Sequence, residues 1–406
     1  MKHGFLPFVP AVVLAVGCSS VQVSADFEGG SIGRFQVLGP HRVVCAVAGQ
    51  ADHEGRNRQP SWYYFRVDNV QLREIEVTLD DLVGEYDYRP GTTPITDKTP
   101  PLISYDQQKW EHVPTVRWDP ETKRLHIPLK PAAATFWLAH LEPYTPTRLE
   151  RLLEGFASER ALRQERIGTT VENRPLRLLT VTSPDHADET KAVVWLMFRQ
   201  HAWETGSSFV AEGLLSHLLA PESRDLLGRV VFKIFPMMDP DGCARGGVRF
   251  NRNGYDLNRN WDTCDPYDPA SRAKMPEIAA AKAAMTEWLG RGGRMDLFLT
   301  HHNQETGGWL SGSASFPAVA DRLFKLLQRE TSCNLPERSP RGPSAKPAPG
   351  RATVYYWLEH EKKVPAFLIE QGVAFDERLM RIPTADDRRL FGRELARAVA
   401  RVVLER

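Results

Sequence analysis

Ala192-Val193-Val194-Trp195-Leu196-Met197-Phe198 runs directly into Arg199-Gln200-His201-Ala202-Trp203-Glu204. An unbroken apolar run of this length, rich in strand formers, predicts a strand buried on both faces, and such strands belong to sheets covered by helices on each side. A helix-like segment, 207–219, follows, which puts His201 and Glu204 at a strand-to-helix corner. The pair is chemically half of a metal site. Zinc accepts imidazole nitrogen and carboxylate oxygen at about 2.0–2.2 Å, and a catalytic zinc takes three protein ligands. His-x-x-Glu alone is a short pattern that equally describes a solvated pair at a helix start, so a third ligand has to come from elsewhere in the chain.

Working outward, near-continuous apolar runs at 176–181, 230–235, 295–300 and 365–369 alternate with helix-like segments at 277–289, 318–330 and 388–404. Strands between amphipathic helices predict an α/β sheet, whose ligands gather beyond the carboxyl ends of the strands. His201, Asp239 and His302 each stand just past a predicted strand, and so along one rim. Upstream, between residues 26 and 143, the period changes to two. Ile75, Val77 and Leu79 alternate with polar neighbours, as do Leu125, Ile127 and Leu129, and Asp119-Pro120-Glu121-Thr122 reads as a hairpin turn. This half predicts a β-sandwich of antiparallel strands with no catalytic constellation of its own, its histidines 53, 112, 126 and 140 being scattered. Glu142-Pro143-Tyr144-Thr145-Pro146 marks the junction. Thr147-Arg148-Leu149-Glu150 has the capping-box form that starts a helix, and the second domain runs from 144 to 406.

With 406 residues, 42% of them apolar and 25% charged, the chain has the composition of an ordinary globular protein. A net charge of +1 gives no field that favours nucleic acid or an anionic membrane. Residues 1–18 differ. Lys2 precedes an apolar segment, 5–16, that ends in Gly17-Cys18, which predicts a secretory signal. The segment is shorter than the roughly 20 apolar residues a membrane span needs. Its last residues, Ala15-Val16-Gly17 before Cys18, are similar to a bacterial lipobox, which implies lipidation of Cys18 and a lipoprotein of the periplasm or cell envelope; plain cleavage would release a secreted form. Lipidation at Cys18 is then the one expected route to the membrane. In an oxidising compartment Cys45, Cys243, Cys264 and Cys333 allow three complete disulfide pairings, among which the sequence does not choose.

Thr300-His301-His302-Asn303 offers two candidates for the missing ligand, of which only one can point into a given site, since adjacent strand residues face opposite sides. Between the two histidine motifs lies a polar segment, from Asp239-Pro240-Asp241-Gly242 to Asn258-Arg259-Asn260-Trp261, that carries Arg245, Arg249, Arg252 and Arg259. An arginine fork matches a carboxylate, although the same segment also describes a solvated loop with surface ion pairs. Glu370 closes the apolar run at 364–369. A carboxylate there is either paired and buried or projects into a site at the rim.

The ordered set His201-x-x-Glu204, Asp239-Pro240-Asp241-Gly242, Asp256 to Trp261, His302 and Glu370 resembles the zinc metallocarboxypeptidases over essentially all of residues 147–406. The β domain, with the strand-forming stretch 62–67, Tyr105-Asp106, Trp110 and the Pro143-Tyr144-Thr145 junction, looks like the cytosolic-carboxypeptidase branch of that family. The resemblance implies a mixed sheet and one zinc per chain, held by His201, Glu204 and His302, with His301 aligning to an apolar position of relatives. It implies further that Asn258 and Arg259 hold a terminal carboxylate, that Arg249 polarises the scissile carbonyl, and that Glu370 is the general base. The substrates implied are peptide or protein C-terminal tails. The Gly350-Arg351 pair is similar to one whose basic residue faces the terminal side chain, implying a preference for acidic ends, glutamate above all. There are departures. Asp239 stands where relatives have Asn, Ala202-Trp203 replaces a Pro-Gly pair, and the flexible tyrosine of many members has no counterpart before Gly350, Tyr355 and Tyr356 lying too far along. Trp203 is expected to pack beside the metal and shape the cleft entrance. Two other functions fit the same residues: a zinc amidase acting on γ-glutamyl or diaminopimelate-containing cell-wall peptides, and a non-catalytic zinc- or peptide-binding protein whose β domain carries the function. No phosphate-binding glycine loop or basic aromatic stripe supports a nucleic-acid partner.

Overall fold

The computed structural model describes residues 20–70, 72–312, 314–335 and 346–405. The leader with Cys18, and residues 336–345 of the proline-rich stretch, lie outside them. Seven strands form the second domain's sheet: β1 (Leu162–Thr169), β2 (Pro175–Val181), β3 (Ala192–Phe198), β4 (Val230–Phe235), β5 (Leu297–Gln304), β6 (Gly308–Gly312) and β7 (Ala366–Gly372), in the spatial order β1-β2-β4-β3-β5-β7-β6. The four strands β4, β3, β5 and β7 run parallel, while β1, β2 and β6 run antiparallel to their neighbours. The sheet is therefore mixed, and its parallel centre brings several carboxyl ends to one rim.

Every residue of β3 is buried, and successive side chains serve different cores. Val194, Leu196 and Phe198 pack with Phe209 and Leu214 of the helix Thr205–Leu218 and Leu395 and Val399 of the last helix, Ala385–Leu404. Val193, Trp195 and Met197 pack on the other face with Ile278 and Met285 of the helix Pro276–Gly290 and Trp357 of the helix Val354–Lys362. Burying each such side chain stabilises the fold by about 1.5–3 kcal/mol. The helix Thr205–Leu218 meets the last helix backbone to backbone. A Cβ on Gly213 would lie 2.0 Å from the Arg389 carbonyl oxygen, and one on Gly392 would lie 2.1 Å from that of Val210. This close seat holds the start of the helix Thr205–Leu218, and with it the capping residue Glu204, against the sheet.

The first domain is a sandwich of two five-stranded sheets over its own core. The strands are antiparallel except for one parallel pair, Arg42–Ala46 beside Ile75–Asp80. The predicted hairpin turn joins Arg117–Asp119 to Arg124–Leu129. The helix after the junction begins at Pro146, ahead of the predicted start. Thr145 is its cap, accepting a hydrogen bond from the Arg148 amide, and proline is tolerated in the first turn. Cys45, Cys243, Cys264 and Cys333 are all buried and unpaired. Cys45 sits in the sandwich core and Cys264 on one face of the sheet, whereas Cys243 and Cys333 sit on the other. None of the three pairings that the sequence allows is formed: Cys45 and Cys264 each fill a core of their own, and Cys243 and Cys333 share a third. No helix among the described residues is long and apolar enough to cross a membrane.

Glu277, in the first turn of its helix, is fully buried and accepts a hydrogen bond from Asn251 Nδ2 at 2.8 Å. Burial pushes its carboxyl up from 4.5 to about 7. In that window the unfolded chain has already lost the proton that the folded chain keeps, so stability falls as pH rises from 4.5 to 7. Glu277→Gln, which mimics the protonated form, is expected to gain on the order of 2–3 kcal/mol over wild type between pH 5 and pH 8 in urea unfolding. A pH-independent difference would show that this carboxyl titrates normally.

Candidate metal centre and cleft

Three donors converge at the rim. His201 Nδ1 lies 2.6 Å from Glu204 Oε1, and His302 Nδ1 lies 2.9 Å from Glu204 Oε2. Nitrogen and carboxylate oxygen atoms of the three residues all fall within 4.8 Å of one another, and all three side chains are buried. Among the described residues this is the only such group; His53, His112, His126 and His140 take no part in one.

The outer contacts decide which atoms face inward. His201 Nε2 lies 3.0 Å from Asp256 Oδ1, and an ionised carboxylate can only accept, so Nε2 carries the proton. Gln200 donates its Nε2 to the Leu257 carbonyl at 2.6 Å, which leaves its Oε1 to accept from His302 Nε2 at 3.0 Å and from Thr300 Oγ1 at 2.8 Å. Deprotonated at Nδ1, as a metal ligand has to be, both imidazoles would turn that lone pair toward the same space as the Glu204 oxygens. Glu204 Oε2, though close to His302, makes no aligned hydrogen bond. Lone pairs gathered this tightly repel one another unless a cation or a proton lies among them, so the donor set fits zinc. Outer acceptors that fix the imidazole tautomer are the usual support of such a site. Electrostatically, positive charge among the three is favoured. Burial opposes ionisation of Glu204, yet His201 and His302 hold its carboxyl well below the usual range. Burial and Arg249 would lower His201, but Glu204 and Asp256 outweigh them and raise it.

The sheet register separates the two adjacent histidines. His302 on β5 pairs with Glu370 on β7, which pairs in turn with Trp309 on β6, so these three side chains form one row on one face. His301 points the other way. Its Nε2 lies 3.0 Å from Gln371 Oε1, and its ring packs between Phe198 and Phe391. Glu370 is half-buried beside the donors, with its Oε2 shielded from solvent and without a hydrogen-bond partner. Burial and the neighbouring Glu204 push its carboxyl well above the ordinary carboxylate range, with Arg249 pulling the other way.

Arg249 donates Nε to Asp256 Oδ2 at 2.8 Å, so Asp256 couples it to His201. The Asn258 amide donates to the same carboxylate at 2.8 Å, and Arg259 is near enough to Glu370 to draw its carboxyl down. Arg245 and Arg252, by contrast, pair with Glu172 away from the cluster. Arg351 is paired with Asp87, at the tip of a hairpin of the first domain formed by Gly84–Tyr86 and Arg89–Thr92. Tyr355, set aside on sequence grounds, has its phenol within the fields of Arg259 and Glu370.

The first domain also builds the cleft, which its sequence pattern did not show. Gln50 Oε1 accepts three backbone N–H groups, from Val248 at 2.9 Å, Arg249 at 2.8 Å and Phe250 at 3.0 Å. One amide oxygen thus sets the loop that carries Arg249. Gln50→Ala is expected to lower kcat/KM for a peptide by about 10- to 100-fold with zinc content unchanged. Turnover at the wild-type rate would show that the loop holds its shape without Gln50. Trp203 corrects another expectation. Only 4% exposed, it packs with Trp62, Tyr64, Ala139, Val248 and Val373 in the apolar joint between the domains, and only part of it lines the cleft. It supports the site from behind and does not form its entrance.

An all-β domain ahead of a mixed α/β sheet whose rim gathers two imidazoles and a carboxylate defines a metallohydrolase class. The same architecture is found in a metallo-carboxypeptidase from Burkholderia cenocepacia (TM-score 0.80, 22% identity, 95% of this chain and 99% of that one). It recurs in a metallo-carboxypeptidase from Pseudomonas aeruginosa (TM-score 0.75, 24% identity, 93% and 98%). The zinc carboxypeptidase family model matches residues 149–360, and a cytosolic carboxypeptidase N-terminal domain model matches residues 23–141. The chain belongs to the zinc carboxypeptidase family. It is similar to cytosolic carboxypeptidase 6 of Mus musculus, 29% identical over 262 residues, which are 60% of this chain and 46% of that protein. An uncharacterized protein of Zymomonas mobilis is 25% identical over 317 residues, covering 76% and 75%. The chain spans about half the length of the mouse and human cytosolic carboxypeptidases 6 that it matches.

Proposed function

We propose that this chain is a zinc-dependent carboxypeptidase that hydrolyses the C-terminal peptide bond of peptide or protein tails, with one zinc held by His201, Glu204 and His302. The observation that carries the reading is Glu370, whose shielded Oε2 has no hydrogen-bond partner, in the same strand-to-strand row as His302. When bound, zinc supplies Lewis acidity that lowers the pKa of water from 15.7 to about 7. Glu370 then accepts the proton of the attacking water and returns it to the leaving amine. Arg249, fixed by Asp256 and Gln50, offers positive charge where the carbonyl oxygen becomes anionic. Asn258 and Arg259 hold the terminal carboxylate and so set which bond lies over Glu370.

The preference for a terminal glutamate rests on Arg351. Its partner here is Asp87, whose place a substrate carboxylate has to take. Arg351→Ala is expected to abolish the preference, and Asp87→Asn to strengthen it. Export and anchoring through Cys18 belong to the same proposal and are read by cell fractionation of the protein with and without Cys18→Ser. Mass spectrometry of a peptide library tests the activity itself. Loss of single C-terminal residues, stopped by chelator and restored by zinc, is the expected result. Cleavage of muropeptides alone would replace it with the amidase reading, and stoichiometric zinc without any turnover would leave a binding protein.

A further inference from the structure

The cavity lined by Glu204, Arg249 and Glu370 has a volume of about 220 Å³, and its other walls come from both domains. Asn258 and Arg259 do not line it. If those two hold the terminal carboxylate, this cavity receives the residues that precede the scissile bond.

Its charges are not balanced. Arg58 is spent on Asp81 and on the carbonyls of Val47 and Val83, Glu85 pairs with Arg56, Arg249 pairs with Asp256, and Glu204 faces the two histidines. Apart from Glu370, the one carboxyl left is Glu305, in the turn between β5 and β6, which forms no ion pair among the described residues. It shares the cavity with Trp309, 40% exposed, which stands next to Glu370 across the strand pair, and with Tyr86, 41% exposed, from the hairpin of the first domain. Tyr86 already has a cation, Arg249, over its ring at 5.4 Å. The buried Nε2 of Gln304 has no partner and is free to donate to a backbone carbonyl.

An unpaired carboxyl that burial and Glu204 hold up, beside an open indole, is the chemistry that receives an ammonium or guanidinium group, because an incoming cation favours the charged form and sits against the ring face. Resting on the carboxypeptidase reading, we propose that Glu305 and Trp309, with the hairpin of the first domain as the opposite wall, form an upstream subsite that selects lysine or arginine in the two positions before the scissile bond and disfavours glutamate there. The first domain then takes part in substrate choice, and acidic tails are accepted at their last residue but not along their length.

The test uses peptides with one common terminal residue, preceded by Lys-Lys, norleucine-norleucine or Glu-Glu. Turnover is measured with the zinc-loaded wild type, and affinity by calorimetry with the zinc-loaded Glu370→Gln protein. Lys-Lys is expected to exceed Glu-Glu by about tenfold or more in both, with norleucine between and the gap narrowing as salt rises. Glu305→Gln is expected to bring the two charged peptides within about twofold, and Glu305→Lys to reverse their order. Equal affinity and turnover for the charged peptides in wild type would overturn the subsite even if all three are cleaved, as would a preference that survives Glu305→Gln. If nothing is cleaved but the affinity order holds, the carboxypeptidase reading fails and the subsite stands.

Discussion

Glu370→Gln is expected to lower kcat for C-terminal hydrolysis by about 10²- to 10⁴-fold, the range lost when a positioned general base is removed. Zinc content should stay at that of wild type, because Glu370 is not among the three clustered donors. The substitution is nearly isosteric. It also removes a carboxyl that burial and Glu204 already hold toward its neutral form, so the melting temperature should not fall. Loss of turnover with zinc and stability intact separates a proton-transfer role from a structural one. Substrate affinity should also survive, since the proposed clamp is made by Asn258 and Arg259. Retained turnover would mean that another group takes the proton. Glu305 lines the same cavity without an ion-pair partner among the described residues, and burial and Glu204 likewise raise its carboxyl, so Glu305→Gln in the same background would locate the substitute.

What could be read from the sequence followed from how strongly burial shapes it. Strands β3 and β4 match their predicted runs residue for residue: β3 is apolar throughout, and the one polar residue of β4, Lys233, lays its ammonium over the rings of Trp195 and Trp288. Strand β5 continues to Gln304, beyond the predicted stop at 300, because His301, His302 and Asn303 find partners inside the protein: Gln371 Oε1, Glu204 and the Gln371 carbonyl. Polarity there marked a site and not a strand end, which also moves His302 from beyond the strand to within it. Strand β1 escaped notice since four of its residues face solvent, and β6 since it is short and begins and ends in glycine. The donors, Glu370 and Arg249 were legible as motifs. Gln200 and Gln50 were not, because a glutamine's role depends on what its amide meets across the fold. The hairpin with Tyr86 and Asp87 was equally hidden, being exposed and without alternation, so nothing in its composition points toward a cleft.

The two adjacent histidines give the second large effect. His302→Ala is expected to weaken zinc binding by more than about 100-fold, whereas His301→Ala should keep one zinc per chain and instead cost about 2–4 kcal/mol of stability. The register requires opposite outcomes. His302 shares its face with Glu370, while His301 fills the core between Phe198 and Phe391 and meets Gln371. Burial pushes the His301 imidazole down to about 3, so it sits there as a neutral, hydrogen-bonded core residue. Competition against a chromophoric chelator reads the first effect and urea unfolding of the zinc-free proteins reads the second. Removing His302 also frees Glu204 Oε2 from its close neighbour and leaves Gln200 Oε1 with Thr300 alone as a side-chain partner, so the zinc-free His302→Ala protein should be no less stable than zinc-free His301→Ala. If zinc is lost from His301→Ala and kept by His302→Ala, the ligand set is His201, Glu204 and His301, and β5 must then sit one residue out of the register seen here.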